Sequence, residues 1–302
     1  VPQTGGALEI FETAPTGASS FAVREVQADV TPVPWFEDRE SGIRLYQGDA
    51  LALLSRAKPE LFDLIFADPP YFLSDGGVTC HAGKMVVVDK GAWDTSRDIA
   101  AVHDFNLAWL KECKRVLKPH GTIFVSGTYH NIYSVGFAMQ QLGFVILNDI
   151  AWFKVNPPPN LSCRYFTHAT ETILWAKKEK RARHYFNYEA MKALPDPAPG
   201  KQMLSLWRIP PPKPWEKRYG KHPTQKPEEL LERIILAASR RGDLILDPFI
   251  GSGTTAVVAA RLGRRCVGFE LESSYLDVAV KRVKDELSAA KKRQLVLEMG
   301  TE

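Results

Sequence analysis

Four consecutive residues, Asp68-Pro69-Pro70-Tyr71, follow a mostly apolar run, Phe62-Asp63-Leu64-Ile65-Phe66-Ala67. That run has the composition of a strand buried on both faces. Two successive prolines have no N–H to give a ladder, so the strand stops there. Asp68 then offers a carboxylate, Pro69 and Pro70 a fixed backbone whose carbonyls no neighbouring N–H claims, and Tyr71 a flat ring. This set suits the exocyclic amine of a nucleobase, a poor nucleophile because its lone pair is delocalised into the ring. Hydrogen bonds from its two N–H groups to Asp68 and to the Pro69 carbonyl would pull the nitrogen toward a tetrahedral shape and localise that pair. Attack on a sulfonium methyl then needs positioning and electrostatics more than a strong base.

A second constellation lies far along the chain. The strand-like Leu244-Ile245-Leu246-Asp247 runs into Pro248-Phe249-Ile250-Gly251-Ser252-Gly253-Thr254-Thr255-Ala256, a glycine-rich turn that opens a helix. Cys266-Val267-Gly268-Phe269 then forms a strand with Glu270 at its tip. Gly251 and Gly253 let the backbone bend and a ligand approach, and a carboxylate at such a tip can accept from the two hydroxyls of a ribose. An adenosine-containing cofactor is expected here. Gly251-x-Gly253-x-x-Ala256 also satisfies the dinucleotide pattern, so at this site alone a nicotinamide-dependent oxidoreductase stays open.

The elements that must position these groups alternate. A short strand at Ile43–Tyr46, a short helix from Ala50, the strand at 62–67, a helix from about His103 to Leu117, and a strand at 122–126 come first. A helix from about Asn131 stopped near Gly143, strands near 144–154 and 171–176, and a helix opened by Pro227 follow, the last carrying Leu230, Leu231, Ile234 and Ile235 on one face. Such alternation predicts an α/β fold, a mostly parallel, doubly wound sheet. The long stretch Phe72 to Asp98, with four glycines, reads as a functional loop or lid carrying Trp93. Trp152 and Trp175 read as core, and His130 and His168 as satisfied polar groups rather than catalytic bases.

The chain has 302 residues with 45% apolar and 25% charged composition, which excludes collagen-like, mucin-like and wholly disordered classes. No run approaches the roughly 18 apolar residues of a membrane span. Four dispersed cysteines (Cys80, Cys113, Cys163, Cys266) give no zinc or disulfide pattern, so no metal is expected and a reducing cytoplasm suits them. Charge is uneven. From Ala176 to Lys226 thirteen basic residues face four acids, a net +9, leaving −5 for the rest of a chain whose total is +4. In that segment seven prolines fall between Pro195 and Pro214, and Tyr185, Tyr188, Trp207, Trp215 and Tyr219 are interleaved. A basic, irregular stripe on an otherwise slightly acidic protein is the footprint of a phosphate-rich partner. Arg181, Arg183, Lys201, Arg208, Lys213, Lys217 and Arg218 are its candidate phosphate contacts.

Taken together, Gly48-Asp49, Asp68 to Tyr71, His222-Pro223-Thr224-Gln225-Lys226-Pro227, Asp247 to Thr255 and Glu270 resemble the DNA amino-methyltransferases that use S-adenosylmethionine. The likeness is to their β group, in which the catalytic half precedes the cofactor half, and it extends from about Leu45 to Arg282. Phe66 to Ser74, His130 to Gly136 and Asn156 to Trp175 resemble the adenine-modifying enzymes of GATC restriction systems in particular.

The resemblance implies a seven-stranded Rossmann-like sheet. It places Asp247, Phe249, Gly251, Ser252, Gly253 and Thr254 around the methionine end and sulfonium, Glu270 on the ribose, and Asp49 with Ala50 near the cofactor adenine or sulfonium. Thr224 and Lys226 would reach the methionine carboxylate, His222 would also bind the cofactor, and Asp68 to Tyr71 would hold a target adenine flipped out of the DNA. N4-cytosine methylation is the alternative, with RNA or protein methylation behind it. The implied organisation is an extension at 1–40, expected to be flexible, and one methyltransferase domain at 41–282. That domain has a catalytic half (41–176), a target-recognition region (about 177–220) and a cofactor half (221–282), with a charged, fraying tail at 283–302. A bacterial cytoplasmic location, a homodimer, and a companion restriction endonuclease not in stable complex complete the expectations.

Overall fold

The computed structural model describes residues 9–12, 31–71, 78–81, 84–87, 98–157, 159–160, 162–196, 198–220 and 222–299. In chain order its elements are β1 (Phe36–Asp38), β2 (Ile43–Gln47), α1 (Ala50–Arg56), β3 (Phe62–Ala67), β4 (Val78–His81), β5 (Lys84–Val87), α2 (Ile99–Val116), β6 (Leu117–Gly127), α3 (Ile132–Gln141), β7 (Val145–Phe153) and β8 (Thr170–Lys177). Then come α4 (Tyr188–Ala193), β9 (Leu206–Arg208), a 3-10 turn (Pro214–Lys217), α5 (Glu228–Ala238), β10 (Leu244–Asp247), α6 (Thr254–Arg261), β11 (Arg265–Glu270) and α7 (Ser273–Met299).

Nine strands form one sheet in the order β1-β2-β11-β10-β3-β6-β8-β7-β9. Without the three-residue edge strands β1 and β9, a seven-stranded sheet remains in which β2, β11, β10, β3 and β6 pair in parallel. β8 runs antiparallel to both β6 and β7. The sheet is covered on both faces. Leu53, Leu54, Trp109, Leu110, Val135 and Met139 from α1, α2 and α3 build one apolar core. Leu230, Leu231, Ile234, Ala256, Val257, Leu276 and Val283 from α5, α6 and α7 build the other. This is the doubly wound arrangement expected from the alternating pattern. Parallel strands sharing one carboxyl edge place Asp68, at the end of β3, and Glu270, at the end of β11, on the same rim.

Described residues near both expected boundaries pack onto the domain. Of residues 1–40, the described stretches 9–12 and 31–40 pack on the domain. Ile10 and Phe11 are 3% and 5% exposed, Phe11 bridges Ala57, and its ring meets Tyr46 edge-on at 5.1 Å. β1 adds a further antiparallel strand to β2. An isolated apolar pair such as Ile10-Phe11 carries no periodicity, and the surface that receives it exists only after α1 and β11 have packed. At the other end, position 282 falls inside the continuous helix α7, where Val283 is fully buried and Glu286 accepts from Arg261 and Arg293. The glycine-rich stretch after Tyr71 contains the antiparallel pair β4–β5; Trp93 lies outside the described residues. Trp152 and Trp175 are buried, as expected; His130 and His168 are exposed, the His168 ring stacked on Tyr129 at 4.6 Å and the His130 ring tilted against it at 3.8 Å.

Candidate active site

The two constellations meet in a cleft at the carboxyl edge of the sheet, about 1010 Å³ with its open mouth counted. Of the residues expected to hold the cofactor or target base, Asp49, Ala50, Asp68, Pro69, Pro70, Tyr71, His222, Thr224, Phe249, Gly251 and Glu270 line it. Lys226, Asp247, Ser252 and Thr254 line a smaller cavity that adjoins it and shares Asp68, His222 and Thr224. Gly253 lines neither. A Cβ there would lie 2.7 Å from the Ala279 Cβ, so this glycine, at φ +82°, lets α7 close on the turn instead of admitting a ligand.

At one end of the cleft the carboxylates are set chiefly by main-chain N–H groups. Glu270 accepts from the Gly251 N–H (2.9 Å) and the Glu272 N–H (3.0 Å), and burial pushes its pKa up against those bonds. Asp247, 2% exposed, accepts from the Phe249 N–H (3.0 Å) and the Thr255 hydroxyl (2.5 Å). Its burial nonetheless raises its pKa to about 7, so a cationic ligand is what would keep it ionised. Gly251, at φ +50°, is backed by the His222 ring, 3.1 Å from where a Cβ would sit. Burial, then Lys226 and Arg282, lower His222 to about 4, and Tyr275 meets its ring edge-on at 4.3 Å. A buried acid seeking a cation, a strand-tip carboxylate and a Cβ-free turn between them fit an amino-acid-bearing adenosine cofactor.

Other residues of this end are fixed by structural bonds. Asp49 caps α1, accepting from the Ala52 N–H at 2.9 Å. The Thr254 hydroxyl donates to the Lys226 carbonyl (3.1 Å), and Arg282 reaches the Ser252 carbonyl and the Thr254 hydroxyl, both at 2.9 Å. Phe249 packs on Trp109 at 5.5 Å.

At the other end the polar groups are set by side chains. Asp68 Oδ1 accepts from the Tyr71 hydroxyl and the Ser126 hydroxyl, and Oδ2 from the Lys226 ammonium. Lys226 Nζ also donates to the Tyr71 hydroxyl oxygen (3.0 Å) and the Thr224 carbonyl (3.2 Å). Lys226 was expected to reach the methionine carboxylate; here its ammonium is turned to Asp68. Burial alone would lower its pKa, but Asp68 and Glu171 outweigh it and hold the ammonium charged. Burial, reinforced by Asp68, holds Tyr71 well above the ordinary tyrosine range, a neutral donor. Asn131 Nδ2 is 3.5 Å from the Pro70 carbonyl.

Sequence reading missed Ser126, Glu171, Lys154, Phe105 and Tyr275. Glu171 is 8% exposed, accepts from Lys154 on Oε1, and has Oε2 3.8 Å from Lys226 Nζ. A lone acid opening an otherwise apolar strand was the one signal available for it.

The basic segment divides. β8 begins at the catalytic edge and runs antiparallel to β6, roughly 26 Å for its eight residues, so it delivers Arg181 and Arg183 to the opposite edge. Their expected role at the bound DNA is not supported by this placement, because the strand between them and Asp68 spans the sheet. β9 returns parallel to β7, bringing Arg208 level with Phe153 at the catalytic edge. The 3-10 turn with Lys213 and Lys217 is tied there through Glu216, whose carbonyl accepts from Gln225 Nε2 at 2.9 Å. Lys213 lies over Trp215 at 5.2 Å and Arg218 pairs with Asp285. Lys201 is exposed in the irregular stretch before β9. Among the described residues no group of His, Cys, Asp and Glu could hold a metal, and no helix is long and apolar enough to cross a membrane.

Comparison with known proteins agrees with this geometry. A family described as DNA methylase, with N6 and N4 members, matches residues 62–281. The chain is 58% identical over 243 residues to the type II methyltransferase M2.DpnII of Streptococcus pneumoniae, covering 80% of this chain and 90% of that one. It is 46% identical over 249 residues to the type II methyltransferase M2.MboI of Moraxella bovis, covering 82% and 90%. Among solved structures, the M1.HpyAVI complex with S-adenosylmethionine superposes with a TM-score of 0.58 at 29% identity, covering 80% of this chain and 98% of that one.

Proposed function

The chain belongs to the N6/N4 DNA methylase family and is an S-adenosylmethionine-dependent DNA methyltransferase; on that premise we propose that it methylates the N6 amine of adenine within GATC. The observation that carries the reading is Asp68, at the tip of β3, facing the same cleft as Glu270 at the tip of β11. The likeness of Phe66 to Ser74, His130 to Gly136 and Asn156 to Trp175 to the adenine-modifying enzymes of GATC restriction systems supports adenine as the target. The relatives' names as type II methyltransferases support a place in a restriction-modification system.

Asp247 would hold the cofactor's ammonium, Glu270 its ribose hydroxyls, and Thr224 with the Gly251 turn its carboxylate end. S-adenosylmethionine supplies an electrophilic methyl group on sulfur when bound. Asp68 and the Pro69 carbonyl accept the two N–H groups of the target amine and localise its lone pair. Asp68 then takes the proton that the methylated nitrogen must lose. Tyr71 holds Asp68 in the free protein and covers the base when it enters, which requires the base to leave the duplex. Arg208, Lys213 and Lys217 would meet the phosphates at this edge. A bacterial cytoplasm, where the DNA lies, a second copy of the chain, and a separate companion endonuclease are the expected setting.

Nucleoside mass spectrometry after incubation with S-adenosylmethionine and unmethylated DNA tests the reading. N6-methyladenine confined to GATC is expected, whereas N4-methylcytosine would overturn the base assignment while leaving the family intact.

A further inference from the structure

Lys226 stands in the wrong place for the reaction. Methyl transfer carries positive charge from the sulfonium to the attacking amine, and a preorganised site puts negative charge where that charge develops. In the free protein the Asp68 oxygen that faces the ammonium already holds a full cation, and its other oxygen holds the Tyr71 and Ser126 hydroxyls. A carboxylate offers about four lone-pair positions. One is left, beside a charge that repels the product-like amine.

A second station for that cation lies next to the first. Glu171, at the start of β8, is 8% exposed. Its Oε1 accepts from Lys154, and among the described residues nothing hydrogen-bonds its Oε2. Leaving a buried carboxylate oxygen without a donor is costly, and Oε2 faces Lys226 Nζ at 3.8 Å. A shift of about 1 Å would make it a charge-assisted hydrogen bond of ordinary length.

We propose that Lys226 is a two-position lysine and Glu171 its second acceptor: the ammonium rests on Asp68 in the free protein and passes to Glu171 when the target amine takes Asp68. Glu171 is thus a positioning residue, acting through Lys226. In the first state the cation holds the Asp68 carboxylate in place. In the second it withdraws from the nitrogen that becomes cationic, while Glu171 neutralises it. No covalent bond changes and no proton is lost in the shift. The proposal rests on the reading that Asp68 receives the target amine.

The test compares Glu171→Gln, Glu171→Asp, Lys226→Met and the double variant Glu171→Gln/Lys226→Met with the full chain, by single-turnover methyl transfer and cofactor binding by calorimetry. Glu171→Gln is expected to lower the methyl-transfer rate at least tenfold with cofactor affinity unchanged, because the lysine has no place to go. Glu171→Asp should recover part of the rate. Removing the cation as well should leave the double variant at or above the rate of Glu171→Gln. A Glu171→Gln rate within twofold of the parent, or a double variant slower than Glu171→Gln by the full factor that Lys226→Met causes alone, overturns the proposal. If Glu171→Gln fails to bind cofactor through misfolding, Glu171→Asp decides: a several-fold loss is expected and an unchanged rate overturns. Normal turnover by Asp68→Ala would instead strike the underlying reading, whatever the Glu171 variants do.

Discussion

The two ends of the cleft hold their carboxylates by different means. Glu270 and Asp247 are fixed chiefly by backbone N–H groups of the turns that follow β10 and β11. Asp68 is held by three side chains, Tyr71, Ser126 and Lys226, drawn from three parts of the chain. A backbone-held acceptor is set once, with the fold. A side-chain-held acceptor can change partners when its ligand arrives, at the cost of rotating groups rather than moving strands. The cofactor end is therefore built for binding, and the target end for a group that must be captured, reacted and released.

The largest effect should come from breaking the target end. Asp68→Ala is expected to lower methyl transfer by about 10³-fold or more, the scale seen when a preorganised electrostatic partner is lost. Cofactor affinity should stay within about threefold. Single-turnover transfer beside calorimetric cofactor binding checks both, and loss of cofactor binding would mean that the two ends are not separable. The converse change is smaller. Glu270→Ala removes one charged acceptor, worth about 1.5–3 kcal/mol, so cofactor affinity should fall roughly 10- to 100-fold while transfer at saturating cofactor is largely kept. A fall in the saturated rate as large as that of Asp68→Ala would erase the division of labour.

The division also explains which parts of the site could be read in the sequence. Asp68 to Tyr71, Asp247 to Thr254 and Glu270 are contiguous or strand-terminal, so spacing alone places them at the carboxyl edge. Ser126 and Glu171 also lie near strand ends, but no spacing along the chain ties them to that site. They meet Asp68 and Lys226 only because β6 lies beside β3 and β8 beside β6, with Ser126 opposite Ile173, and a single strand's composition does not state its register. The same gap misplaced Arg181 and Arg183. Net charge over a segment says that a basic region exists, but the direction of β8 decides which edge of the sheet each end reaches. Ile10 and Phe11 escaped notice for a third reason: two apolar residues make no period, yet they complete a core built by others.

That split of the basic segment gives the next test. Replacing Lys213, Lys217 and Arg218 by glutamine should weaken DNA binding and flatten its dependence on salt. Each phosphate contact adds about 0.9 to the slope, so three would remove about 2.7. Because Arg218 is already paired with Asp285, a change of about 2 is expected. Replacing Arg181 and Arg183 should leave the slope as it was. Binding isotherms across a salt series measure both, and an equal loss from the two sets would place DNA across the whole sheet instead of at its catalytic edge.

The smallest effect is on stability and sets two buried groups against each other. Asp247 titrates at about 7 in the folded protein against an ordinary 3.8. Between those values the folded state keeps a proton that the unfolded state has lost, so this group makes stability fall as pH rises from about 4 to 7. His222 titrates at about 4 against an ordinary 6.5. There the unfolded state holds the extra proton, and stability rises with pH over about 4 to 6.5. The two contributions oppose one another through the same window, each at most about 1.4 kcal/mol per pH unit. Asp247→Asn should therefore make Tm climb more steeply with pH between 4.5 and 6.5 than in the parent protein, and His222→Asn should tilt it the other way. Melting curves at several pH values read the two tilts. Tilts of the same sign would mean that burial does not push the two groups of the cofactor end in opposite directions.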